Sequence, residues 1–210
     1  MSKISFVYFD VGGVVLLDYS GTNKWIEMQR GLGITPEKES QFEEVWSRYS
    51  NEICVSRDVE VYVPLLRKEL GLDIPDDYSM LQDFVTRYNP NPSIWPVIEQ
   101  IHKNTKIGLL TNMYPGLLDA IYSRGDLITS NDWDVVVDSS VVGAQKPDPK
   151  IFQIAQGLVD FPPEEILFVE NQQRHLDTAK KLGWQTFLYN SSEPEKSTAS
   201  LAELFGFSGK

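Results

Sequence analysis

Asp10 closes an uncharged run, residues 4–9, and Val11-Gly12-Gly13 follows it at once. A carboxylate set at the end of so apolar a stretch is costly to desolvate unless a cation or hydrogen-bond donors face it. Three more polar groups stand further along: Thr111-Asn112 and Glu170-Asn171, each ending an apolar run, and Lys146 within Gln145-Lys146-Pro147-Asp148. Together they define one chemistry. A carboxylate can attack phosphorus and form an acyl phosphate. The Thr111 hydroxyl, the Asn112 amide and backbone N–H groups, those of Gly12 and Gly13 included, can hold the phosphoryl oxygens. The Lys146 ammonium can offset their charge and keep Asp10 ionised. An acid at position 170 helps hold a divalent cation between two anions. Each residue also has an ordinary role open to it: turn aspartate for Asp10, helix cap for Thr111, solvated loop lysine for Lys146.

Such a set acts together only if the fold gathers it. Residues 4–9, 106–110, 133–137, 166–169 and 185–189 read as strands, and helical patterns separate the later ones. Ile94, Val97, Ile98 and Ile101 recur at helical spacing after Ser93, a cap candidate. Asp148 before Pro149 reads as a helix start, and the Leu176, Ala179, Leu182 stripe stops at Gly183. The alternation predicts an α/β fold: a doubly wound parallel sheet with right-handed crossovers. Ligands of such sheets bind at the carboxyl ends of the strands, where all four polar groups fall.

Residues 18–88 break the alternation. Helical windows cover 21–30, 36–49, 57–70 and 78–88, with Thr35 and Ser56 as plausible starts, and Asn89-Pro90-Asn91-Pro92 restores the first pattern. We read a helical cap inserted into a core formed by residues 1–17 and 89–210. It springs from the ligand edge, so it either covers the site and excludes water or only pads the core. Residues 191–197 read as a polar loop before a short terminal helix.

The 210 residues suffice for one sizeable core. A formal net charge of -11 argues against a nucleic-acid partner, which needs a basic face, but leaves room for a small phosphate ester. The single cysteine, Cys54, forms no internal disulfide and fits a reducing cytosol. No run reaches the ~18 apolar residues of a membrane span, and Met1-Ser2-Lys3 opens no signal-peptide pattern. The expectation is a cytoplasmic protein, monomer or homodimer.

Phe9-Asp10-Val11-Gly12-Gly13-Val14, Leu110-Thr111-Asn112, Gln145-Lys146-Pro147-Asp148 and Phe168-Val169-Glu170-Asn171 resemble, in order, the four motifs of the haloacid dehalogenase superfamily. The helical insert is similar to that family's small cap. Within it, the chain looks most like the group holding bacterial glucose-1-phosphatase and the N-terminal phosphatase domain of soluble epoxide hydrolase. The resemblance implies that Asp10 is the nucleophile, that Thr111 and Lys146 bind phosphate, and that Mg2+ joins enzyme and substrate through Asp10, the Gly12 carbonyl, Glu170 and Asn171.

Two departures stand out. Phosphatases of the family usually carry a second aspartate, the general acid and base, where this chain has Gly12. Such a group contributes about 10²–10⁴-fold, so slow turnover of poor leaving groups is expected. Glu170-Asn171 replaces the usual aspartate pair and removes one charge, which should weaken magnesium binding. His175 stands where the family has asparagine; it either hydrogen-bonds into the loop or, the preferred reading, is a neutral surface or capping residue, and His102 carries no chemistry. The expected activity is hydrolysis of a small phosphorylated metabolite. The alternatives are a 2-haloacid dehalogenase, using the same aspartate without metal, and a weakly active or inactive protein that binds a phosphorylated ligand.

Overall fold

The computed structural model describes residues 3–130 and 132–207. Met1 and Ser2, where the absence of a leader was read, lie outside them, as do 131 and 208–210 of the expected core. Strand β1 (Phe6–Phe9) is buried at every position, because its apolar run leaves no polar side to turn outward. It lies at the centre of a five-stranded sheet with β4 (Lys106–Thr111), β5 (Val135–Asp138), β6 (Ile166–Glu170) and β7 (Gln185–Leu188), in the order β5-β4-β1-β6-β7. All pairings are parallel; Phe9 faces Leu109 on one side and Val169 on the other. That register brings the ends of β1, β4 and β6 level.

The two-residue period of the strands divides the core. Val7, Phe9, Ile107, Leu109, Leu167 and Val169 face one apolar layer, which runs on into the inserted helices. Phe6, Tyr8, Leu110, Ile166 and Phe168 face the other, with Phe152 and Trp184. Tyr8 stacks on Trp184 there, ring centroids 5.5 Å apart.

Strands β2 (Leu16–Leu17) and β3 (Asn89–Pro90), each two residues long, pair antiparallel and bring the two ends of the insertion together. Between them lie α1 (Lys24–Gly31), α2 (Glu39–Ser47), α3 (Tyr62–Leu70) and α4 (Met80–Arg87). The helices are shorter than the sequence windows. Residues 36–38 and 59–61 wind as tighter 3₁₀ turns. Asp58, not Ser56, caps the second turn by accepting from Glu60 N–H, and Thr35 makes no side-chain cap bond. Trp25 and Trp46 pack inside the insertion, Trp46 stacked on Tyr62 at 4.1 Å.

After β3 come α5 (Trp95–His102), α6 (Leu117–Arg124), the short α7 (Ser139–Val142), α8 (Pro149–Gly157), α9 (Gln173–Lys181) and α10 (Pro194–Leu204). Asp148 caps α8 through Lys150 N–H, as its place before Pro149 predicts. Ser93 does not cap α5; its hydroxyl donates to Asn91 Oδ1 instead. The loop read over 191–197 is shorter than expected, since α10 already starts at Pro194. Among the described residues, no helix is long and apolar enough to cross a membrane.

Candidate active site

The sheet delivers Asp10 from the end of β1 and anchors it at both ends of the residue. Its backbone N–H donates to the Val169 carbonyl at 2.9 Å, and its Oδ1 accepts from Val11 N–H at 2.8 Å. Only 8% of Asp10 is exposed. Lys146 reaches it from the loop before α8: Nζ lies 2.8 Å from Asp10 Oδ1, 2.7 Å from Glu170 Oε2 and 3.0 Å from the Leu110 carbonyl. An ammonium has three protons, and these three acceptors use them all. Lys146 is therefore no solvated loop residue.

Asn112 explains why the lysine enters at that angle. Its Nδ2 donates to the Lys146 carbonyl at 2.9 Å, and its Oδ1 accepts from Lys146 N–H at 2.8 Å. The amide expected to face phosphoryl oxygens is spent on the lysine's main chain. Thr111, buried at the end of β4, lines the crevice directly.

Glu170 is fully buried and fully engaged. Oε1 accepts from the backbone N–H groups of Asn171 and Gln172, both at 2.9 Å. Oε2 takes Lys146 and, at 2.9 Å, His175 Nδ1. His175 is thus a buried partner of the acid, contrary to its reading as a surface residue. Its signal was in the sequence: it falls one helical turn before Ala179, on the apolar stripe of α9. Burial holds the imidazole below its usual pKa, so the neutral ring donates Nδ1–H to the carboxylate.

Burial pushes the Asp10 carboxyl above the usual range, the Glu170 charge adds to this, and Lys146 only partly offsets both. Burial acts likewise on Glu170, but Lys146 and His175 outweigh it and hold that carboxyl low. The two acids keep the Lys146 ammonium charged despite its burial.

In front of these residues opens a cavity of about 280 Å³ bordered by Asp10, Gly12, Asp18, Thr111, Lys146 and Asn171, with Arg174 and His175 from the start of α9. The insertion contributes Asp18, Ser20 and Tyr88, all near its roots; no residue of α1 to α4 borders the cavity. Asp18 was not singled out by sequence. Gly13 has φ +78°, and a Cβ there would lie 2.0 Å from Asn171 Nδ2, so only glycine admits that approach. Asn171 Nδ2 donates to Ser20 Oγ and Ser191 Oγ, both at 3.0 Å, which leaves its oxygen as the end open to a ligand.

A hard cation takes oxygen ligands. The Asp10 carboxylate, Gly12 carbonyl and Asn171 amide oxygen offer them along one cavity wall. Glu170 stands behind that wall with both oxygens occupied. Among the described residues, no three acidic, histidine or cysteine side chains cluster as a metal site. The donor set fits magnesium held by fewer charges than three carboxylates would bring.

The comparisons with known proteins bear on this geometry. A phosphatase of Mycobacterium tuberculosis is 26% identical over 200 residues, 90% of this chain and 89% of that protein. An (S)-2-haloacid dehalogenase of Xanthobacter autotrophicus is 28% identical over 155 residues, 70% of this chain and 58% of its own length. Of two mammalian relatives that also match, the chain spans only 36% and 15% of the length. A solved structure of a HAD family enzyme from Bacteroides thetaiotaomicron, in complex with magnesium and inorganic phosphate, superposes with TM-score 0.68 at 15% identity, covering 90% of this chain and 96% of that one; at that identity the likeness is one of fold. The family model for haloacid dehalogenase-like hydrolases matches residues 4–183. The chain belongs to the haloacid dehalogenase-like hydrolases.

Proposed function

We propose that the chain hydrolyses small phosphate monoesters through an aspartyl-phosphate at Asp10. The observation that carries this reading is the buried contact of Lys146 Nζ with Asp10 Oδ1 at 2.8 Å, at the head of the central strand. Oδ1 is already taken by Lys146 and Val11 N–H, so Oδ2 is the attacking atom. As the Oδ2–P bond forms, charge moves from the carboxylate to the phosphoryl oxygens. The ammonium follows that charge, exchanging its contact with Asp10 for one with the phosphoryl group. Thr111 adds a hydroxyl donor, and Arg174 at the cavity rim attracts the dianionic ester.

Asp10, the Gly12 carbonyl and Asn171 are the residues that would hold magnesium. A bound ion offsets the repulsion between nucleophile and phosphate. Glu170 serves from behind, keeping Lys146 charged and in place. Position 12 itself carries no proton donor.

A second reading, displacement of halide from a 2-haloacid by the same aspartate, draws support from the occupied Glu170 oxygens, since that reaction needs no metal. Assays of p-nitrophenyl phosphate with magnesium and of 2-chloropropionate without it, each against Asp10→Asn, separate the two. Phosphate release that disappears in the variant supports the first reading; halide release alone supports the second and overturns the first.

A further inference from the structure

Phosphoryl transfer to Asp10 leaves a proton to be found. An alkyl ester departs as a strongly basic alkoxide unless its oxygen is protonated, and the water that later opens the acyl phosphate must lose a proton. The groups already described are committed. Asp10 bonds phosphorus, and Lys146 spends its protons on Asp10, Glu170 and the Leu110 carbonyl. Neutral His175 directs its one ring proton, on Nδ1, to Glu170, so its unpartnered Nε2 has none to give a leaving group. Arginine does not deprotonate. One acid on the cavity wall remains, Asp18.

Its placement is specific. A Cβ built on Gly12 would lie 2.6 Å from Asp18 Oδ2, so the carboxyl would have to shift, and a tight 3.3 Å from Asp18 Cγ. The Asp18 carboxyl therefore fills the space that a side chain at position 12 would use. It is held there: Oδ1 accepts from Ser20 N–H at 2.8 Å, and the Ser20 hydroxyl accepts from Asn171 Nδ2 at 3.0 Å. The segment after β2 is thereby fastened to the end of β6. Glycine at 12 makes room, and position 18 brings an acid from another direction.

We propose that Asp18 is the proton donor and acceptor of this site, an inference that rests on the phosphomonoesterase reading. In the first step Asp10 Oδ2 bonds phosphorus, the P–O bond to the leaving group breaks, and that oxygen takes the Asp18 proton. In the second, water bonds phosphorus while giving its proton to Asp18, and the P–O bond to Asp10 breaks. Inorganic phosphate leaves, Asp10 is again a carboxylate, and Asp18 is reprotonated. The handicap expected from Gly12 is then lifted.

The test compares Asp18→Asn with the parent on p-nitrophenyl phosphate and on ethyl phosphate. Asparagine can keep the bond from Ser20 N–H, and the aryl ester, whose leaving group needs little protonation, reports a folded site. The expected result is a loss in kcat/KM of about 10²–10⁴-fold on ethyl phosphate, with only a few-fold loss on the aryl ester. A burst of nitrophenolate is also expected, because the second step has lost its base. Gly12→Ala, which crowds the Asp18 carboxyl, should shift the alkyl-to-aryl ratio in the same direction. Equal losses on both esters, or no loss, overturn Asp18 alone. Absence of any aryl turnover by the parent overturns the phosphomonoesterase reading and Asp18 with it.

Discussion

Lys146 Nζ and Glu170 Oε2 lie 2.7 Å apart, and the two side chains are only 1% and 0% exposed. A buried ion pair is an uncertain source of stability, because desolvating both charges offsets their attraction. Breaking one is costly, because it strands the other. Lys146→Met strands two acids, Glu170 and Asp10. We expect a loss of about 3–5 kcal/mol, a fall in Tm on the order of 10 °C, together with loss of activity. Thermal denaturation followed by circular dichroism checks this; an unchanged Tm contradicts the assigned pairing.

Asp10 should behave in the opposite way. Burial and the Glu170 charge raise its carboxyl above the unfolded value, so the folded chain holds that proton more tightly than the unfolded one. Its contribution to stability is present below the unfolded pKa and is lost as pH rises through the raised folded value. Asp10→Asn removes that loss. The inactive variant should melt a few degrees above the parent at pH 8, with the gap narrowing toward pH 4. A variant less stable than the parent at pH 8 shows that Lys146 depends on the Asp10 charge more than Asp10 burdens the fold.

Gly13→Ala meets two obstacles at once, a positive φ and a Cβ 2.0 Å from Asn171 Nδ2. A non-glycine residue held in such a conformation costs about 1–3 kcal/mol. Asn171 must also move, which disturbs the cavity wall. We expect lower stability and, in the surviving folded protein, a raised magnesium requirement in the phosphatase assay. Parent-like magnesium titration removes Asn171 from the proposed ion site.

Half-buried Cys54 lies in the insertion, and burial pushes its thiol up to about 12. The thiolate is the nucleophilic form, so at pH 8 the folded protein should alkylate far more slowly than a free thiol. Iodoacetamide labelling read by mass spectrometry checks this, with full labelling expected in urea. Rapid labelling of the native protein would show Cys54 exposed.

Much of this site was legible because it stands on strand ends. An apolar run that stops at a polar residue announces both a buried strand and its carboxyl end, and so Asp10, Thr111 and Glu170 could be placed. Lys146 was found by its company, Pro147 and Asp148 at the start of α8. What stayed hidden has short or non-local causes. Strands β2 and β3 are two residues long, too brief for an alternating pattern. The engagement of Glu170 with His175 and Lys146 depends on rotamers that no spacing specifies. Asp18 lay at the boundary between core and insertion, where neither helical nor strand periodicity marks a face. Its closeness to Gly12 follows from how the chain turns back after Val14 and Val15. Spacing alone does not mark His175 as buried, because a polar residue on an apolar stripe can also face water; α9 turns that stripe toward β6.

The nucleophile is tested most directly by trapping it. The protein is mixed with p-nitrophenyl phosphate and magnesium, quenched in acid during turnover, digested and analysed by mass spectrometry. A phosphoryl group is expected on the Asp10 carboxyl, absent from Asp10→Asn and most abundant in Asp18→Asn. Steady release of phosphate with no phosphoryl adduct on Asp10 at any quench time would contradict it.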